Sequence, residues 1–137
     1  MNEPELIRRI FRDVKTIAVV GLTDSPGRAS FGVSKYMQRH GYKIVPVNPT
    51  VTEILGEKAY PSLEAIPFPV ELVNVFRAPR YVAGIVDDAI RLKIPYLWLQ
   101  DGVIDREAAA KAETAGIGVV MDDCFYREHA RLMSGRR

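Results

Sequence analysis

The residues with chemistry to offer cluster behind one short apolar run. Ile17-Ala18-Val19-Val20 leads into Gly21-Leu22-Thr23-Asp24-Ser25-Pro26-Gly27-Arg28-Ala29-Ser30. Thr23, Ser25 and Ser30 supply hydroxyls, Arg28 a forked cation, and a helix starting near Ser30 free backbone N–H groups, a set that suits a diphosphate. Gly21 lets the backbone approach an anion closely. A carboxylate at Asp24 would repel phosphate, which leaves it a ribose hydroxyl, an adenine amine or the backbone of its own loop. A plain strand-to-helix turn also uses Gly, Pro and Ser; the added hydroxyls, cation and helix start favour a phosphorylated ligand.

This loop is not a dinucleotide fingerprint, because Thr23, Asp24 and Ser25 stand where further glycines belong. The next strand ends Val45-Pro46-Val47-Asn48-Pro49, with Asn48 in place of the carboxylate that grips the ribose of NAD, so hydride chemistry lacks its anchor. Taken alone, Asn48 is satisfied by an Asx turn. A receiver domain would carry a phosphoacceptor aspartate at the end of the third strand, where this chain reads Val75-Phe76-Arg77-Ala78-Pro79. Phe76 offers a stacking face to an adenine and Arg77 a partner to a phosphate, although a core aromatic beside a solvated arginine reads equally well.

Positioning these residues takes alternating strands and helices. Glu3 to Phe11 reads as an amphipathic helix with Leu6, Ile7, Ile10 and Phe11 on one face and Asn2 as its cap. Strands are expected at Thr16–Val20, Lys43–Val47, Val70–Phe76, Pro95–Leu99 and Ile117–Met121. Between them lie a helix from Ser30 to His40 stopped by Gly41, a loop containing Gly56, a turn capped by Ser62, a helix opened by Pro79 and one capped by Asp105; a last helix runs from Phe125 to Leu132. The result is an α/β, doubly wound, five-stranded parallel sheet in the order 3-2-1-4-5 with helices on both faces. Strands one and four would then flank a crevice built from the loops Gly21–Ser30, Asn48–Pro49, Phe76–Pro79 and Gln100–Gly102.

Composition narrows the function classes. A length of 137 residues fits one domain spanning 1–137, and 47% hydrophobic with 26% charged residues is ordinary for a globular chain. No apolar run approaches the ~20 residues of a membrane span. A formal charge of +2, with bases scattered among acids, argues against nucleic acid as a partner. One cysteine, Cys124, and no secretory pattern at the N-terminus point to the cytoplasm. Two neighbouring acids, Asp122 and Asp123, give Cys124 no cation to hold a thiolate, and without further ligands at useful spacing they do not make a metal site. His40 and His129 read as capping or surface residues, and Arg136 and Arg137 as a solvated tail.

The Gly21 to Pro26 run with Arg28 and Ser30, the Gly41-Tyr42-Lys43-Ile44-Val45-Pro46-Val47-Asn48-Pro49 run, Trp98-Leu99-Gln100, and Cys124 with Glu128-His129 resemble the small bacterial and archaeal coenzyme A-binding proteins. Their domain is similar to the N-terminal domain of the succinyl-CoA synthetase alpha subunit. The resemblance spans nearly the whole chain and implies a Rossmann-like, nucleotide-binding fold with coenzyme A as cofactor. By the same resemblance, Thr23, Asp24, Ser25, Arg28 and Ser30 meet the phosphates and ribose over Gly21, Asn48 and Pro49 sit beside the nucleotide, and Phe76, Arg77, Gln100 and Gly102 line the pantetheine arm. Two positions depart from the family: Asp123 replaces a basic residue before the cysteine, and Gln100-Asp101-Gly102 matches the synthetase's Thr-Glu-Gly loop only loosely. The synthetase reaction also needs a phosphohistidine domain and a nucleotide-binding partner, which these 137 residues do not supply.

The expectation is a stand-alone, non-catalytic module for coenzyme A or an acyl-CoA, with no catalytic and no metal-binding residue. The alternatives are an NAD(P)-linked oxidoreductase domain and a redox or acyl carrier using Cys124. A homodimer or a partner enzyme subunit is left open.

Overall fold

Four consecutive apolar residues leave β1 (Thr16–Val20) no solvent face, and Ile17 to Val20 are buried between two helical layers. The computed structural model describes residues 1–135. After β1 come β2 (Lys43–Val47), a short hairpin of β3 (Glu53–Ile54) and β4 (Glu57–Lys58), then β5 (Leu72–Val75), β6 (Tyr96–Leu99) and β7 (Gly118–Val120). The helices are α1 (Pro4–Asp13), α2 (Ala29–Arg39), α3 (Val82–Arg91), α4 (Arg106–Thr114) and α5 (Phe125–Ser134). A single 3-10 turn, Pro79–Tyr81, opens α3, and the Asp105 carboxylate caps α4 by accepting from the Ala108 N–H at 3.0 Å.

Strand alternation divides the core in two. Ile17 and Val19 face α1, α2 and α5, where they meet Ile10, Val33, Met37, Trp98 and Phe125. Ala18 and Val20 face α3 and α4, where Val82, Val86, Ala108 and Ala112 cover them. His129 is part of the first layer and not the surface residue expected: it is buried against Phe11 and Phe125, and its Nδ1 lies 2.8 Å from the Tyr36 hydroxyl.

The fold is the expected Rossmann-like, doubly wound parallel sheet with an N-terminal helix, but one strand changes place. The five strands run β2-β1-β5-β6-β7, so the third sheet strand lies between the first and the fourth; the expected 3-2-1-4-5 order put it outside the second. Pro46 gives the reason. Without an N–H it cannot serve a ladder on both sides, so β2 belongs at an edge. The following segment closes that edge: the Tyr60 N–H donates to the Pro46 carbonyl at 2.9 Å, and the Tyr60 carbonyl accepts from the Asn48 N–H at 2.9 Å.

The other edge is closed by Asn2, which is not the helix cap expected. Its backbone N–H donates to Val119, and its side-chain amide pairs with Met121 in both directions, Nδ2 to the carbonyl at 2.8 Å and Oδ1 from the N–H at 2.7 Å. A side-chain amide thus stands in for a strand backbone. Glu3 holds the cap position of α1 with its carboxylate on the Met1 ammonium and not on the helix, and Pro4 in the first turn has no N–H to satisfy. The solvated tail expected at Arg136 and Arg137 lies outside the described residues.

Candidate functional site

The sheet order reverses between β1 and β5, because β2 lies to one side of β1 and β6 to the far side of β5. The crevice therefore opens at the carboxyl ends of β1 and β5, which corrects the expected flank of strands one and four. This places the β5 loop against the β1 loop. Gly21, at φ 91°, is so close to it that a Cβ would stand 2.9 Å from the Phe76 carbonyl oxygen and 3.0 Å from the Arg77 Cδ.

The first loop is anchored by the buried Leu22 and carries its polar groups beyond it. The Thr23 N–H points at the Ser30 Oγ, 3.4 Å away, while the Thr23 Oγ1 is buried with no hydrogen-bond partner. An orphan of this kind costs about 1–3 kcal/mol until a ligand or water satisfies it. Asp24, Ser25 and Arg28 are exposed. Arg28 sits at the cap position of α2, where no side chain caps the helix, so the first N–H groups remain available to an anion.

Asn48 makes three hydrogen bonds to protein and keeps one N–H unused. Its Nδ2 donates to the Leu22 carbonyl at 3.0 Å, and its Oδ1 accepts from the Thr50 N–H at 2.8 Å and the Thr50 hydroxyl at 2.7 Å. The Asx turn expected for Asn48 alone is therefore present, and the same amide staples the β1 loop to the β2 loop. Pro49 is exposed beside it.

In the third loop Phe76 is half-buried against the α2-side core. The Arg77 guanidinium lies 3.8 Å over the ring of Tyr81, and Arg80 reaches the same ring at 4.7 Å and its hydroxyl at 3.3 Å. The hydrogen bond from Arg80, then that from Arg77, hold the Tyr81 phenol below its usual pKa. Among the described residues, none of Arg28, Arg77 and Arg80 has a carboxylate partner, so this rim carries three unpaired cations against the one exposed carboxylate of Asp24.

The fourth loop turns inward. Gln100 is 4% exposed, and its Nε2 donates to the Oδ1 of Asn74 at 2.7 Å. The Gly102 N–H donates to the Asp122 carboxylate at 2.8 Å. Arg127 forks onto Asp101, with both contacts at 2.9 Å, and reaches Asp123 at 2.8 Å; its bond holds the Asp101 carboxyl below its usual range. The Asp123 carboxylate also accepts from the Cys124 N–H, and the Asp123 backbone carbonyl accepts from the Trp98 indole. The acids around Cys124 thus tie α5 to the β6 loop.

Asn74, Arg80 and Tyr81 were missed from the sequence. Asn74 did leave a signal, being the one polar residue in the buried strand Leu72–Val75. A groove of about 440 Å³ lies elsewhere, between α1 and α5, lined by Ile7, Phe11, Leu132, Arg8, Glu128 and Arg131. None of the expected site residues borders it. The β1–β5 crevice gathers the uncapped start of α2, an orphan hydroxyl and cations without a carboxylate partner, the equipment for a polyanion.

A model of the CoA binding domain matches residues 15–130. Uncharacterized protein YneT of Bacillus subtilis is 44% identical over 124 residues, which cover 90% of this chain and 92% of that protein. A solved structure of a hypothetical protein from Pyrococcus horikoshii superposes with a TM-score of 0.90 at 41% identity, covering 94% of this chain and 91% of that one. Acetate--CoA ligase (ADP-forming) I of Archaeoglobus fulgidus is 25% identical over 121 residues, a match that takes in 81% of this chain but 18% of the ligase. No helix among the described residues is long and apolar enough to cross a membrane.

Proposed function

This chain belongs to the CoA-binding domain family, and from that premise we propose that it binds coenzyme A or an acyl-CoA in the β1–β5 crevice, as a single-domain, non-catalytic module of the cytoplasm. The observation that carries the reading is the buried, unpartnered Thr23 Oγ1 beside the uncapped start of α2. A diphosphate there would receive the first N–H groups of α2 together with Thr23, Ser25, Ser30 and the unpaired Arg28. Gly21 keeps the approach open, and Asp24 is left for a ribose hydroxyl. Asn48 and Pro49 wall the nucleotide; Asn48 is held there by its bonds to Leu22 and Thr50, with its second amide N–H left for the ligand. Phe76, Arg77, Gln100 and Gly102 border the path of the pantetheine arm.

Among the described residues no hydroxyl of the four loops is paired with a base, and the carboxylates of Asp122 and Asp123 are bonded to Arg127 and to backbone N–H groups. The test is the thermal shift of the purified protein with coenzyme A, dephospho-coenzyme A, acetyl-coenzyme A, NADH, NADPH and ATP. A ligand present at a hundred times its Kd stabilises the native state by about 2.7 kcal/mol. Coenzyme A or its acetyl form is expected to give the largest rise; a rise with NADH and none with coenzyme A would refute the reading.

A further inference from the structure

We infer that Asn74, buried beneath the crevice, sets the orientation of Gln100 and thereby the hydrogen-bonding atom that the crevice presents to the arm of the ligand. The inference rests on the coenzyme A reading above. Asn74 is completely buried in a strand otherwise made of Leu72, Val73 and Val75, and Gln100 is nearly so at the end of the neighbouring strand. A buried amide must place both a donor group and an acceptor.

The direction of this pair is fixed from its far end. The Asn74 Nδ2 faces the Met37 Sδ at 4.0 Å. A thioether sulfur only accepts, so the amide turns its N–H group to Met37 and its Oδ1 to Gln100. Facing an acceptor at 2.7 Å, Gln100 must offer its Nε2. That leaves the Gln100 Oε1, which accepts no hydrogen bond within the described residues, as the free atom. A row of three side chains, Met37 on α2, Asn74 on β5 and Gln100 after β6, thus converts a symmetric-looking amide into a fixed acceptor. An acceptor suits an amide N–H, which the pantetheine arm carries and the 3′-phosphoadenosine diphosphate half of coenzyme A does not.

Asn74 is therefore a positioning residue, and its signature is a selective loss. Titration calorimetry with coenzyme A and with 3′-phosphoadenosine 5′-diphosphate, which lacks the arm, separates the two halves. Asn74→Leu should weaken coenzyme A about tenfold, the scale of one hydrogen bond, and leave the armless nucleotide unchanged. Asn74→Asp should restore coenzyme A binding, since burial keeps the introduced carboxyl protonated, its C=O accepting from Gln100 and its O–H facing sulfur. Met37→Leu conserves volume but removes the group that distinguishes the two amide directions; equal populations of the two would lower coenzyme A affinity about twofold. If Asn74→Leu does not fold, the Met37→Leu result decides, and no selective loss there overturns the inference. Equal weakening of both ligands in Asn74→Leu, or no change in either, would also overturn it. Wild-type protein that binds neither compound would bring down the coenzyme A reading and this inference together, whereas binding of both without a selective loss would remove Asn74 alone.

Discussion

Replacing Gly21 by alanine loads the crevice at its tightest point. Gly21 has a φ of 91°, a conformation that costs an L-residue about 1–2 kcal/mol. The new methyl would lie 2.9 Å from the Phe76 carbonyl oxygen and 3.0 Å from the Arg77 Cδ. Arg77 can swing away, but the carbonyl cannot, because the Phe76 N–H is bonded to Val20 at 2.9 Å and holds the end of β5 against β1. Overpacking against backbone adds about 1–2 kcal/mol, for a total loss of about 2–4 kcal/mol. In a domain of this size that lowers the melting temperature by about 10 °C. Differential scanning calorimetry reads it, with Gly27→Ala as the control: a methyl on Gly27 would meet no atom within 4 Å, and that variant should stay within about 0.5 kcal/mol of wild type. A Gly21→Ala protein melting within about 2 °C of wild type would refute the claim that β1 and β5 meet this closely at the crevice.

Arg28→Ala should weaken coenzyme A by about 1–3 kcal/mol in titration calorimetry with an unchanged melting temperature, since the side chain has no partner within the described protein to lose. Burial pushes the Tyr42 phenol from 10.0 up to about 12. The folded value lies above the unfolded one, so this contribution is fully present below pH 10 and is lost as pH rises toward 12, about 2–3 kcal/mol in all; urea unfolding between pH 9 and 12 should show the decline, and Tyr42→Phe should flatten it. Asn2→Ala removes both side-chain bonds to Met121 and should cost about 1–3 kcal/mol in urea unfolding, with faster hydrogen exchange at the Met121 amide.

What was legible in the sequence was local. The apolar run at Ile17–Val20, the strand expected at Val70–Phe76 and found at Leu72–Val75, the Asp105 cap and the stop at Gly41 each state their structure within a few residues. The strand order was not local. Pro46 did argue for an edge, but the deciding contact is with Tyr60, across a hairpin whose turn hides in Leu55 at φ 55° beside Gly56. A leucine in that conformation gives no composition signal. Asn2 was misread for the same reason, its partner being Met121 at the far end of the chain. The residue types of the site loops could be read, while the contact of Gly21 with Phe76 and Arg77 depends on β5 lying next to β1, which only the assembled sheet provides.

The division of the core by a single sheet bears on how such a protein can change. Thr23 bonds Ser30 of α2, and Gln100 bonds Asn74, which faces Met37 of α2, so all four belong with the α2 side, whereas the Ala108, Ala109 and Ala112 stripe of α4 and the Val82 to Ala89 face of α3 pack on the other. Residues on opposite faces share few neighbours, so their effects on stability should add. Substitutions that tighten the α3–α4 layer can therefore offset destabilising changes in the crevice, leaving the ligand preference of this fold free to drift while its melting point holds.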